Sequence, residues 1–313
     1  MRAAIGVDLG GTKIAAGLVG DDGGVIARAS APTPAQQGPA AVLGVVADLA
    51  RGLVESAPGG VRPVGVGVGS AGVIAPGIGT VVSATDALPG WAGTRVRDEL
   101  VLALGLPVGV VNDVHAHALG ESNAGAGAGH GTVLMIAAGT GVGGALVVDG
   151  RVHTGRLGVS GHFGHLPVPE AGDRACSCGR SGHLEAVASG PAICADYRVR
   201  SGDATVVDGR EVVRRAEAGD ADAEASLVFA GTALGRVVGG LVNALDPDVV
   251  IVGGGLAAAG ELWWSAMRRA DAAERMAVLA DTPLVTARLG GDAAIIGAAS
   301  LVLFDQPDVQ EQP

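Results

Sequence analysis

The chain has 313 residues, 54 of them glycine, with 48% hydrophobic and 2% aromatic side chains; this is one large or two medium domains with enough apolar mass for real cores. Acidic residues outnumber basic ones 32 to 21, a net charge of −11, so the chain lacks the electrostatic footprint of a nucleic-acid or anionic-membrane binder. A mean hydropathy of +0.42 argues against disorder, glycine without a three-residue period excludes collagen, and three cysteines are too few and odd for a disulfide framework.

Ala3–Asp8 reads as a strand, Gly10–Gly11 as a turn, Ile14–Val19 as a second strand and Val25–Arg28 as a third, a meander with a glycine-rich first turn. Asp8 and Lys13 break the first apolar run too early for a signal peptide, so a cytoplasmic, soluble protein is expected. Residues 39–56 have helical apolar spacing, with Pro39 near the start. A buried strand follows at Val64–Gly69, a helix near Val96–Leu104, and a strand at Val108–Val111 that ends at Asn112-Asp113.

The opening then recurs. Thr132–Ala137 is a strand, Gly139–Gly144 a turn, Ala145–Val148 a strand, and Arg151–His153 a third strand after Asp149-Gly150. The uncharged run over 131–148 has the length of a membrane span, but its glycines suit strands and a turn better. Two such openings about 130 residues apart predict two duplicated α/β lobes, each with a hairpin whose backbone can approach a ligand. Residues 209–245 read as mostly helical, Val249–Val252 as a strand, and Ala257–Ala270 as a helix; the tail from Asp305 is expected to fray.

Gly139 to Gly144 fits G-x-G-x-x-G, but a dinucleotide fingerprint requires a helix after the turn and a strand-like segment follows. A glycine hairpin reaching phosphates is the surviving reading. Gly253–Gly255 lies between a strand and a helix, where backbone N–H groups attract phosphate or cradle a purine. Asp8-Leu-Gly-Gly-Thr-Lys13 combines a carboxylate at a strand end, two glycines and a group for hydrated Mg²⁺. Asp113 is placed equally well to act as a general base or to cap the helix that begins near Val114. His162, His165, Cys176, Cys178 and His183, with Glu185 beside them, form a dense cluster in which two Cys and two flanking His read as a tetrahedral Zn²⁺ site. Cys194 lies apart and reads as a small buried residue.

These motifs, in this order, resemble the ROK family (repressor, open reading frame, kinase) of the actin/hexokinase-like superfamily. The resemblance runs almost end to end: Asp8-Leu-Gly-Gly-Thr-Lys13, Leu88-Pro-Gly-Trp91, Pro107-Val-x-Val-x-Asn112-Asp113, Gly139-Thr-Gly-Val-Gly-Gly144, Gly161-x-x-Gly-His165, Cys176-x-Cys178-Gly-x-x-Gly182, Glu185 with Ser189-Gly190, and Val249-x-x-x-Gly253-Gly-Gly255. It implies an α/β fold of two ribonuclease H-like lobes with a cleft between them, the smaller spanning 1–113 plus about 298–313 and the larger 114–297, with a zinc loop at 160–185. It also implies ATP- and Mg²⁺-dependent phosphorylation of a hexose or N-acyl hexosamine, usually at the 6-hydroxyl. Asp113 would be the base. Asn112, His162, His165 and Glu185 would contact the sugar. Asp8, Gly10, Gly11, Thr12, Lys13, Gly139, Thr140 and Gly141 would surround the phosphates and metal, and Gly254 and Gly255 the adenosine. A homodimer or a tetramer is expected, with no nucleic-acid or membrane partner.

Two residues depart from the family pattern. His183 stands where Cys is usual, so the expected zinc ligands are His165, Cys176, Cys178 and His183, a set less negative than one with three thiolates. His162 stands where most ROK sugar kinases have Glu; an imidazole offers one donor and one acceptor where a carboxylate accepts twice. Bacterial N-acetylmannosamine kinases of the family share His-x-Gly-His here, which favours N-acetylmannosamine, with glucose second. The family's repressors carry a DNA-binding segment ahead of the body, whereas here Asp8 opens the body at once. A non-catalytic sugar sensor and a Rossmann oxidoreductase are the rival classes; the retained Asp113 argues against the first and the strand after Gly144 against the second.

Overall fold

The computed structural model describes residues 1–85 and 87–303; the expected frayed tail and the last part of the expected smaller lobe lie outside them. Strands β1 (Arg2–Leu9), β2 (Lys13–Gly20) and β3 (Val25–Pro32) form the antiparallel meander. Helix α1 (Pro39–Glu55) starts on Pro39, whose missing N–H costs nothing in the first turn. It leads to β4 (Arg62–Ser70), parallel to β1. A small hairpin, β5 (Val73–Ile74) and β6 (Val81–Ser83), precedes α2 (Val96–Leu104), which ends at left-handed Gly105. Then come β7 (Val108–Asn112), parallel to β4, and α3 (Asp113–Ala124).

The second half continues with β8 (Thr132–Ala138), β9 (Val142–Val148) and β10 (Arg151–Val152). Helices α4 (Glu185–Ala188), α5 (Gly190–Ser201), α6 (Gly209–Glu217) and α7 (Ala221–Leu245) follow, with Ser189, Asp208 and Asp220 as the side-chain caps of the last three. The chain ends through β11 (Val249–Gly253), α8 (Glu261–Glu274), β12 (Leu284–Thr286) and α9 (Ala293–Leu303). The strand orders are β3-β2-β1-β4-β7 and β10-β9-β8-β11-β12. One order maps onto the other element by element, so the duplication expected from the repeated openings is a shared topology of antiparallel meander plus two parallel strands. The run tested as a membrane span is β8 and β9. Helix α7 is long and apolar enough to cross a membrane, but it is a core helix: Gly231, Gly235 and Gly239 face α8, and added Cβ atoms would meet the carbonyls of Trp263, Met267 and Asp271 at 2.6, 2.1 and 2.6 Å.

Two compact units result among the described residues: Met1–Gly131 with Ala145–Ser160 and 288–303, and Thr132–Gly144 with Gly161–Ala287. They divide the chain elsewhere than at 113 and 298. The reason is close packing of α3 on α9: a Cβ on Gly297 would lie 1.8 Å from the Ala116 carbonyl oxygen, and one on Gly120 would lie 2.0 Å from that of Ala293. Both helices therefore belong with the first sheet. The first unit's core holds Ile5, Leu9, Val66, Trp91 and Leu100, and the second's holds Leu134, Tyr197, Leu234 and Trp263.

Candidate active site

In the first unit, Asp8 lies at the end of β1 and the Gly10–Thr12 turn follows it. Thr33 holds this turn: its Oγ1 donates to the Gly10 carbonyl at 2.7 Å and its N–H to that of Thr12 at 3.0 Å. Thr12 and Lys13 are exposed. At the end of β7, Asn112 caps α3. Its Oδ1 accepts from the N–H groups of Val114 at 2.9 Å and His115 at 3.4 Å, and its Nδ2 donates to the Gly72 carbonyl at 2.9 Å. The capping role weighed for Asp113 thus falls to Asn112, and Asp113 becomes the first helical residue.

Burial pushes the Asp113 carboxyl above the usual carboxylate range, against the opposing pull of the Val114 N–H and of His117. Burial also raises Asp8; His117 and Lys13 oppose this, and the Asp113 charge adds to it. His117 was not foreseen, although Asp113-x-x-x-His117 is the spacing of neighbours on one helix face. Its Nδ1 donates to the Asp113 carbonyl at 3.0 Å, which leaves Nε2 as an acceptor in the neutral ring. His115 is buried and donates from Nε2 to the Ser160 carbonyl at 2.8 Å.

In the second unit, Gly139, Thr140 and Gly255 line a cavity of about 860 Å³, together with Gly190, Pro191, Cys194, Arg198, Arg210 and Arg214. This lies within the volume range of ligand pockets. Gly139 N–H donates to the Gly141 carbonyl and Gly190 N–H to that of Gly139, both at 2.8 Å, so the β8–β9 turn is joined to the start of α5. Gly254 has φ +83°, and a Cβ there would meet the Ala138 carbonyl oxygen at 2.3 Å. The helix expected at Ala257–Ala270 begins only at Glu261; a 3-10 turn at Gly255–Ala258 comes first, and Gly260 at φ +86° separates the two. Cys194 is buried as expected, with its thiol donating to the Val206 carbonyl. The arginines of α5 and α6 carried no motif that linked them to the glycine turn.

His165, Cys176, Cys178 and His183 converge, each offering one donor atom, all within 4.8 Å of one another. Sγ of Cys176 is 3.4 Å from Nδ1 of His165, and Sγ of Cys178 is 3.3 Å from Nδ1 of His183. Tetrahedral Zn–S and Zn–N bonds put S and N roughly 3.6 Å apart, so the cluster fits zinc. Burial pushes the Cys176 thiol up and holds His165 below the usual imidazole range. The loop is tight: Cys176 N–H donates to the Arg180 carbonyl at 2.7 Å, and Gly179 and Gly182 take φ of +83° and +81°. His162 is exposed, its ring centroid 6.0 Å from that of His165. Glu185 has two anchors that the sequence did not announce: Oε2 accepts from Val142 N–H at 3.0 Å and Oε1 from Ser177 Oγ at 2.5 Å.

The ROK family signature matches residues 4–304. A glucokinase from Thermotoga maritima is 34% identical, covering 95% of this chain and 96% of its own. An N-acetylmannosamine kinase from Shigella boydii is 33% identical, with 95% and 97% covered. Among solved structures, the ROK hexokinase of Thermus thermophilus superposes with a TM-score of 0.86 at 36% identity, covering 96% and 97%. A ROK glucokinase from Streptomyces griseus, bound to glucose and AMPPNP, gives 0.77 at 31%, covering 96% and 99%. The chain belongs to the ROK family. It is a sugar kinase of that family, with the mixed α/β fold of the actin/hexokinase-like group.

Proposed function

We propose that the protein transfers the γ-phosphoryl group of ATP to the 6-hydroxyl of a hexose or N-acyl hexosamine, N-acetylmannosamine before glucose, with Asp113 as the general base. The observation behind the base is that Asn112 caps α3 while the Asp113 carboxylate, whose Oδ1 also accepts the Val114 N–H at 2.9 Å, is buried enough for its affinity for protons to rise. Asp113 accepts the hydroxyl proton, the sugar oxygen bonds to the γ-phosphorus, and the bridge to the β-phosphate breaks to release ADP. Asn112, His162, His165 and Glu185 hold sugar hydroxyls. Gly10, Gly11, Thr12 and Lys13, with Gly139, Thr140 and Gly141, offer backbone N–H, hydroxyl and ammonium donors to the phosphates. Gly254, Gly255 and the arginine-lined cavity accept the nucleoside.

Asp8 and Thr12 are oxygen donors, a set suited to Mg²⁺, which when bound would neutralise phosphate charge. Zinc on the two Cys and two His would stiffen the loop that carries Glu185. The His162-x-Gly-His165 run and the similarity to N-acetylmannosamine kinases support N-acetylmannosamine; the similarity to glucokinases supports glucose as the second reading. ATP use suits the cytoplasm, and a homodimer or tetramer is the proposed assembly.

The test is ADP release with Mg·ATP against N-acetylmannosamine, glucose, N-acetylglucosamine, mannose and fructose. Faster turnover of N-acetylmannosamine than of glucose supports the reading. Turnover of glucose alone discards the role given to His162, and no turnover of any sugar by folded, zinc-loaded protein brings forward the sensor.

A further inference from the structure

Ser177 lies between two zinc-ligand candidates, Cys176 and Cys178, and points away from neither the loop nor its neighbours: Oγ is 3.9 Å from the Cys176 sulfur and donates to Glu185 Oε1 at 2.5 Å. The other oxygen of Glu185 accepts the N–H of Val142, at the start of β9. The carboxylate is thus fixed at both oxygens, once by the metal loop and once by the β8–β9 turn. Each carboxylate oxygen retains a lone pair for a further donor. A Cβ on Gly141 would lie 2.6 Å from Oε2, so the turn itself leaves room for the carboxylate.

From this geometry we infer that Ser177 is a positioning residue: its hydroxyl clamps Glu185 against the Val142 N–H and presents the carboxylate to the sugar in one orientation. The inference rests on the proposed sugar-binding role of Glu185. It ties the order of the metal loop to the sugar site, because Ser177 can hold its position only while Cys176 and Cys178 hold theirs.

The experiment compares Ser177→Ala and Ser177→Thr with the wild type. Zinc is measured by elemental analysis, sugar affinity by calorimetry with N-acetylmannosamine and with glucose in the absence of nucleotide, and the Val142 amide by hydrogen exchange. Losing a hydrogen bond to a charged group predicts roughly tenfold weaker sugar binding for Ser177→Ala, with the ATP KM within about twofold of wild type. Its zinc content stays at the wild-type level and its Val142 amide exchanges faster. Ser177→Thr keeps the hydroxyl and restores all three readouts. Unchanged Val142 exchange in Ser177→Ala would overturn the clamp, as would zinc loss in both variants, which would make Ser177 a support of the metal loop alone. Faster exchange with unaltered sugar affinity would overturn the link to the sugar. If the wild type binds neither sugar while Ser177→Ala still exchanges faster, the sugar reading falls and the clamp stands.

Discussion

Replacing Glu121 by Gln exchanges one oxygen for NH₂ in a fully buried carboxylate of α3. Its Oε1 accepts the N–H groups of Arg288 at 2.9 Å and Leu289 at 2.7 Å, and its Oε2 that of Ala126 at 2.9 Å. Glu121 therefore fixes the end of α3 to the segment that leads into α9. In its better orientation the Gln amide keeps both bonds on the 288–289 side and sets NH₂ against the Ala126 N–H. One buried N–H left unpaired costs about 1–3 kcal/mol, and two bonds reduced from charged to neutral acceptors cost about 1 kcal/mol each. Removing a buried charge offsets part of this, leaving roughly 2–4 kcal/mol. For a chain of this size that lowers the melting temperature by roughly 3–6 °C. Differential scanning calorimetry at pH 7 reads it directly. A variant melting within about 1 °C of wild type, or above it, would refute the reasoning, since the three bonds would then contribute no more than the buried charge costs.

Asp113→Asn should lower kcat by roughly 10²–10⁴-fold while calorimetry still detects sugar binding; retained turnover removes Asp113 as the base. Because burial raises the folded-state pKa, kcat should fall with decreasing pH at an inflection above the usual carboxylate range. The same shift gives stability that is present below the unfolded pKa and lost as pH rises through the folded value, so Asp113→Asn should melt no lower than wild type at pH 7. Cys176→Ser should lose bound zinc and melt lower, checked by elemental analysis and calorimetry; unaltered metal content would refute the site. His162→Glu should move the kcat/KM ratio toward glucose, and an unchanged sugar profile would show that the position does not discriminate.

Much of the fold was legible because strands and turns carry local signals. The glycine-turned meander at Asp8–Thr12 and its echo at Gly139–Gly144 follow from short continuous apolar runs bounded by turn residues, and they recover both sheets' antiparallel halves. The metal cluster was legible because its donors lie close in sequence. Less legible were β12, a short strand whose place depends on pairing with β11, and the delayed start of α8, set by Gly260. Whether Asn112 or Asp113 capped α3 could not be read either, since adjacent residues compete for one role.

The family, the repeated topology and the residue types of the site are written in the chain itself, because backbone preference and motif spacing are local properties. Folding settles that Asn112 rather than Asp113 caps α3, that His117 bonds the Asp113 carbonyl and lowers the proton affinity of Asp8 and Asp113, that Glu121 anchors α3, and that Ser177 holds Glu185. Glu121 and Arg288 are 167 positions apart in the chain, and even Ser177 and Glu185, only 8 apart, meet only once the cysteine loop has turned. Such contacts are chosen by burial and by the need of each buried polar atom for a partner, and neither exists until the chain has folded.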